Sequence, residues 1–209
     1  MRFKKILLFT CIALFIATGT FAQNFDIDLL RSINHNESAF KNNFYKATSY
    51  SVIYISMAAP VAVFSAGIIK HDQQLKKDAV YMVGALIFSA VVTQGMKSTI
   101  KRDRPFITYP DIIQREEESG YSLPSGHTSF AFCTATSLSL LFPKWYVLIP
   151  AYLYASTVAY ARMYEGVHYP TDVFVGALVG AGSAWLSFNV EKYLDKRHKS
   201  KRAATLTPL

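Results

Sequence analysis

The chain has 209 residues, 51% of them hydrophobic and 17% charged, with a formal net charge of +8. Soluble domains carry about 25% charged residues, so this composition argues against an ordinary soluble domain and for a membrane protein. A basic balance fits nucleic acid, an anionic membrane face or an anionic substrate, and the placement of the charges decides among them.

The chain opens on "MRFKK", a positive stretch, followed by the apolar run "ILLFTCIALFIATG" and by "TFA" before Gln23. That order predicts a signal peptide over 1–22, cut after Ala22, or an uncleaved first transmembrane helix. Both put Gln23 outside the cytoplasm. Residues 23–46 are polar with scattered Leu, Ile and Phe, which predicts an extracytoplasmic segment with a short amphipathic helix lying along the surface. Cys11 and Cys133 both fall in apolar stretches, and their spacing fits neither a disulfide framework nor a metal site.

Five further stretches lack Asp, Glu, Lys and Arg: 47–69, 79–96, 127–143, 145–161 and 173–190. A span takes about 20 apolar residues, so the first fits comfortably and the others require tilt or local thinning. The predicted fold is all-α, a polytopic membrane helical bundle with a core of about five to six helices. That core covers 47–190, and a basic cytoplasmic tail follows over 191–209. Pro60 is tolerable inside the first span, because neighbouring helices can satisfy the freed carbonyl. "GALVG" at 176–180 has the small-x-x-x-small spacing that lets helices approach closely.

The connections carry the topology. With Arg2, Lys4 and Lys5 inside and the side alternating at each span, the inner segments hold Lys70, Lys76, Lys77, Lys144 and the basic residues of the tail. More than half of the 22 basic residues then fall inside, in agreement with the positive-inside rule. Nucleic-acid binding loses support, because "DKRHKSKR" reads as the cytoplasmic flank of a membrane helix. The outer connections collect the remaining polar residues. Among them "REEES" at 115–119 is expected to be a solvated loop that can shape the approach to a site.

Three outer segments carry chemistry. In "KSTIKRDRP", Lys97 and Arg104 are seven apart, so a continuing helix would point both cations one way before Pro105 ends it. Two such cations beside hydrocarbon suggest an anion between them. In "PSGH", Pro124 and Ser125 precede an apolar helix, Gly126 allows close backbone approach, and the first amides of the helix favour a bound phosphate. His127 sits beside that position. In "YARMYEGVHYPTD", Arg162 ends one span, His168 lies in the loop, and Asp172 opens the next span as a possible N-cap. A histidine with a nearby carboxylate is a pair that presents one ring nitrogen as nucleophile or base. Alternation puts all three segments on one side of the membrane, as a single polyanion site suited to phosphoryl transfer.

Lys97–x₆–Arg104–Pro105, Pro124–Ser125–Gly126–His127 and Arg162–x₅–His168–x₃–Asp172 together resemble the three-part signature of the type 2 phosphatidic acid phosphatase superfamily. That superfamily includes membrane lipid phosphatases, soluble bacterial acid phosphatases and vanadium haloperoxidases. One departure is Ala161, where the third motif usually has serine. The resemblance implies His168 as nucleophile through a phosphohistidine, Asp172 as the group orienting it, and His127 as general acid and base. Lys97, Arg104, Ser125, Gly126 and Arg162 would bind phosphate. It implies no cofactor and no metal, a lipid phosphate or diphosphate as substrate, and no nucleic acid or obligate protein partner. The expected location is a bacterial-type inner membrane, with the site facing the periplasm. The substrate classes left open are polyprenyl diphosphate, phosphatidate, phosphatidylglycerol phosphate and lipid A. A soluble acid phosphatase, a vanadium haloperoxidase and a non-catalytic lipid-binding or transport protein remain as alternatives.

Overall fold

The computed structural model describes residues 25–35 and 37–205. The expected signal peptide or first span at 1–22 lies outside the described residues, as does the end of the tail from 206. Helix α1 covers 25–34, followed by α2 (Ala39–Ile69), α3 (Gln73–Ile100), the short α4 (Pro105–Thr108), α5 (Gly126–Leu141), α6 (Trp145–Tyr164) and α7 (Pro170–Thr205). Each of the five uncharged stretches is helical, the third up to Leu141, and the described residues contain no strand. The all-α bundle read from hydropathy is therefore the fold.

Local chemistry sets the helix ends. Ser38 caps α2 by accepting from Lys41 N, so this helix starts well before its apolar stretch does. Asp72 caps α3, accepting from Gln74 N at 2.8 Å. The α2–α3 connection is tight, and a Cβ on Gly67 would lie 3.0 Å from the Lys76 backbone nitrogen.

The segments Ala39–Ile69 and Pro170–Leu194, and the segment beginning at Gln73, are long and apolar enough to cross a membrane. Tyr54, Val61, Val91, Phe174 and Leu178 stand exposed on them, a belt of apolar side chains that water would not tolerate as a contiguous surface. Helix α5 differs. Its 16 residues rise only about 24 Å, and it packs against α2, α3, α6 and α7 at once. Small and hydroxylated residues make this central position possible: Thr128, Ser129, Ala131, Cys133, Thr134, Ala135, Thr136 and Ser137 are all buried.

The α5–α7 contact is the most extensive in the bundle. Two glycines of "GALVG" create it. A Cβ on Gly176 would lie 2.6 Å from the Ser125 carbonyl oxygen, and one on Gly180 would lie 2.1 Å from that of Ser129. At the far end, Gln74 Nε2 donates to Asp78 and to Glu191, joining α3 to α7.

Helix α1 does not lie along a surface on its own. Ile27 and Leu30 are buried against Ile112 and Tyr169, and Asn34 donates to the Ile113 and Tyr164 carbonyls. Ile27 and Leu30 fasten it across the connections 101–121 and 165–169, while Phe25 and Leu29 stay exposed on its other side.

Candidate active site

The C-terminal ends of α3 and α6 and the N-terminal ends of α5 and α7 meet at one end of the bundle. Two backbone hydrogen bonds splice the three motifs there: Ser122 N donates to Arg102 O at 2.9 Å, and Ser125 N donates to Asp172 O at 3.0 Å. The close approach at Gly176 is what brings Ser125 against the start of α7.

Lys97 lies in the last turn of α3, and its Nζ donates to the Tyr121 carbonyl. The expected helical repeat from Lys97 to Arg104 does not exist, because α3 stops at Ile100. Lys101 takes a left-handed conformation (φ 51°), and residues 101–104 run non-helically into α4. Arg104 reaches the site from an extended backbone, with Pro105 at the first position of α4. Its guanidinium is 2% exposed and fully occupied. Nε donates to Gly120 O at 3.0 Å, NH1 to Val167 O at 2.9 Å, and NH2 to Ser119 O at 3.0 Å. NH1 also stands 3.4 Å from His168 Nε2.

Arg162 points inward from the last turn of α6 and is fully buried. Its NH1 donates to Glu165 Oε2 at 2.7 Å and its NH2 pairs with Glu118 Oε1. The chain then turns at Gly166, whose φ of 73° and lack of space suit only glycine: a Cβ would lie 2.4 Å from Ile113 O. That turn delivers His168, 2% exposed, with Nδ1 3.5 Å from Asp172 Oδ2. The approach is electrostatic, since Nδ1 makes no hydrogen bond at this distance. Burial, then the charges of Arg162, Arg104 and Lys97, push the His168 imidazole well below its ordinary value. Both causes favour the neutral ring, and Arg104 NH1, which can only donate, faces Nε2 as an acceptor.

Asp172 is not the N-cap of α7. It sits in the first turn, and its Oδ2 reaches back to accept from Tyr169 N at 2.9 Å, half of a capping box. Its Oδ1 accepts from Arg102 NH1 at 2.7 Å. His127, in the first turn of α5, remains 26% exposed, and its Nδ1 stands 3.8 Å from Glu118 Oε1. Ser125 occupies the N-cap position of α5 without a side-chain capping bond; its buried hydroxyl accepts from Thr128 Oγ1 at 3.0 Å, which leaves its own proton free to donate. A Cβ on Gly126 would meet only Thr93 Cγ2, at 3.8 Å, so protein packing alone does not demand glycine there.

All eight residues singled out from the sequence thus lie at one end of the bundle. Lys97 is the loosest member, reaching the others through charge and through Tyr121 O. Sequence reasoning missed several. The "REEES" segment is no solvated loop: Glu118 Oε2 accepts from Arg104 NH2 at 3.2 Å, and Glu116 Oε2 lies 3.9 Å from Arg162 NH1. Glu165 holds Arg162 and accepts from Ser49 Oγ of α2 at 3.0 Å. Arg102 bridges Asp172 and Asp26 of α1, both at 2.7 Å, with its guanidinium 3.8 Å from the centre of the Tyr169 ring. Only the density of charge in "KSTIKRDRP" hinted at this bridge. Ala161 is buried and presents no hydroxyl. Among the described residues no group of three or more His, Cys, Asp or Glu side chains is placed to hold a metal ion.

The arrangement gathers two buried guanidinium groups, a neutral imidazole backed by a carboxylate and a second, more accessible histidine. Comparison with known proteins agrees with it. Residues 78–196, more than half of the chain, match the family model described as the PAP2 superfamily. The undecaprenyl-diphosphatase of Sulfolobus acidocaldarius is 29% identical over 192 residues, covering 89% of each chain. The lipid A 4'-phosphatase of Bacteroides thetaiotaomicron is 27% identical, covering 86% of this chain and 83% of its own. The crystal structure of Aquifex aeolicus LpxE superposes with a TM-score of 0.70 at 28% identity, over 79% of this chain and 95% of that one. A transmembrane phosphatidylglycerolphosphate phosphatase from Bacillus subtilis shares the fold at the same TM-score of 0.70, at 22% identity over 90% of this chain and 94% of its own. The chain belongs to the PAP2 superfamily, as a multi-pass membrane hydrolase of phosphate esters.

Proposed function

We propose that the protein is a membrane lipid phosphatase that works through a phosphohistidine on His168, at the extracytoplasmic rim of the bundle. The observation that carries this reading is the convergence of Arg104 and Arg162 on one anion beside His127, with His168 Nε2 3.4 Å from Arg104 NH1. Nε2 of His168 attacks phosphorus in line and the P–N bond forms as the bond to the lipid oxygen breaks; burial and the charge of Arg162 hold the free His127 imidazole down to about 4, so the proton it gives that oxygen is one brought in by the substrate phosphate. Asp172 stabilises the positive charge that develops on the His168 ring, as the carboxylate does in triad logic. His127 then takes a proton from water, whose oxygen attacks phosphorus and releases orthophosphate and the free histidine. A positioned acid and base of this kind contributes about 10²–10⁴-fold. Arg104, Arg162 and Lys97 meet the charge spreading over the non-bridging oxygens, and Ser125 Oγ and the first amides of α5, that of Gly126 included, complete the cradle.

A lipid fits because the site lies at the end of helices whose flanks are apolar and exposed. Among lipid phosphates a polyprenyl diphosphate is favoured. The undecaprenyl-diphosphatase matches nearly the whole chain, and carrier recycling requires a phosphatase on the outer face. A lipid A phosphate is the second reading, favoured by the Bacteroides relative and by LpxE. The experiment is phosphate release by detergent-purified protein over a panel of lipid phosphates, with His168→Ala alongside. Release from the preferred lipid, abolished in His168→Ala together with any trapped phosphoenzyme, is expected. Turnover retained by His168→Ala would overturn the nucleophile, and no release from any lipid phosphate would overturn the function.

A further inference from the structure

Among the described residues Glu118 is the acidic side chain that bridges both Arg104 and Arg162, whereas Glu116 and Glu165 reach Arg162 alone, and no motif contains it. Its Oε1 pairs with Arg162 NH2 and lies 3.8 Å from His127 Nδ1, while its Oε2 accepts from Arg104 NH2 at 3.2 Å. A planar anion bridging two guanidinium groups next to an imidazole has the charge and the oxygen placement of a bound phosphoryl group. The guanidinium side chains of Arg104 and Arg162 are 2% and 0% exposed, and charges buried so deeply are costly unless an anion compensates them. Burial pushes the Glu118 carboxyl up, but Arg162 and Arg104 more than offset this and hold it below its ordinary range, so it stays ionised.

A phosphate bound by the same N–H groups cannot share them with this carboxylate. The backbone beside Glu118 is held independently: Ser119 O and Gly120 O accept from Arg104, and Arg115 N donates to Glu165 O. The side chain can therefore leave without dismantling the segment. Gly120, at φ 72° and with open space around its Cβ position, turns the chain directly behind it.

We propose that Glu118 is a resident anion which the substrate phosphate displaces, and that this exchange makes the site reject phosphodiester headgroups. This inference rests on the phosphatase reading above. A phosphomonoester carries about −1.5 to −2 charge at neutral pH, more than the single charge of the carboxylate it replaces. A phosphodiester carries a single charge and gains nothing by the exchange. Bulk membrane lipids with diester heads, present in vast excess around the bundle, are thereby kept out of the cradle. The apparent affinity for any anion equals its intrinsic affinity reduced by the fraction of molecules whose cradle is free of Glu118.

The test uses full-length protein in detergent. Orthophosphate binding is measured by calorimetry for wild type, Glu118→Gln and Glu118→Asp. Phosphatidylglycerol in mixed micelles is tested as an inhibitor of lipid phosphomonoester hydrolysis. Glu118→Gln removes the charge, and Glu118→Asp draws it back by one methylene. Both are expected to bind orthophosphate about 10-fold more tightly or better, and to become inhibited by phosphatidylglycerol concentrations that leave wild type unaffected. Unchanged or weaker orthophosphate binding, in whichever of the two variants retains the wild-type Tm, would overturn the proposal, as would equal phosphatidylglycerol inhibition of wild type and variant. Wild type that binds and hydrolyses normally beside such a result would leave the phosphatase reading standing. Absence of both binding and hydrolysis in wild type would remove both.

Discussion

Replacing Gly180 by alanine tests whether the α5–α7 contact sets the site. The new Cβ would sit 2.1 Å from Ser129 O, 2.8 Å from Cys133 N and 2.9 Å from Ser129 C. These are backbone atoms of a central helix and cannot swing aside. Ordinary non-bonded separations are about 3.5–4.0 Å, so relief requires the helices to part by about 1 Å or more. Overpacking costs about 1–3 kcal/mol, and alanine returns up to about 1 kcal/mol of helix propensity. With a backbone-on-backbone overlap the upper part of that range applies, leaving a net loss of about 2 kcal/mol and a fall in Tm of about 4–8 °C. The displacement also separates Ser125 from Asp172, whose backbone bond is 3.0 Å long, so phosphate release should fall with stability. Gly182→Ala on the same helix is the control: nothing lies within 4 Å of its Cβ position, and the change should be neutral or slightly stabilising. Thermal unfolding in detergent and an activity assay read both effects. Gly180→Ala with wild-type Tm and turnover would refute the reasoning.

The remaining predictions concern the charges. Arg102→Met leaves Asp172 and Asp26, 0% and 4% exposed, without their shared partner; kcat should fall while KM changes little, with Arg102→Lys intermediate because an ammonium cannot serve both carboxylates as the guanidinium fork does. An unchanged kcat in Arg102→Met would show that this bridge does not orient Asp172. Burial raises the Glu165 carboxyl to about 7, against the opposing pull of Arg162 and the Ser49 hydroxyl. A carboxyl raised on folding stabilises the fold fully below its unfolded value and loses that contribution as pH rises through the folded one. Wild-type Tm should therefore fall relative to that of Glu165→Gln between pH values of about 5 and 8, by up to about 3 kcal/mol in stability, and parallel profiles would contradict the shift. Because guanidinium groups supply the positive charge at the cradle, hydrolysis should continue in EDTA. Loss of activity restored by a divalent cation would count against that assignment.

Much of the molecule was legible before any coordinates. Helices were readable because an uncharged run must satisfy its own backbone hydrogen bonds in lipid, and a helix does so within the segment. The shared end of Lys97, His127, Arg162 and His168 followed from alternation, since each sits where an apolar run stops. "GALVG" marked a close approach, and the structure assigns it to α5 and the Ser125 backbone. Regular elements do not continue unchanged into the charged segments. Arg104 arrives through a left-handed turn at Lys101 and not along a helical repeat, and Asp172 lies inside the first turn of α7 instead of capping it.

Sequence by itself determined the helices, their alternation and the motif residues, because each depends on hydropathy or on spacing within one segment. Only the tertiary structure decided what surrounds those residues. Glu118 between Arg104 and Arg162, Glu165 against Ser49, and Arg102 between Asp26 and Asp172 join segments far apart in the chain. Such pairings arise because a buried cation requires whichever anion packing brings within reach, and no local pattern records which one that will be.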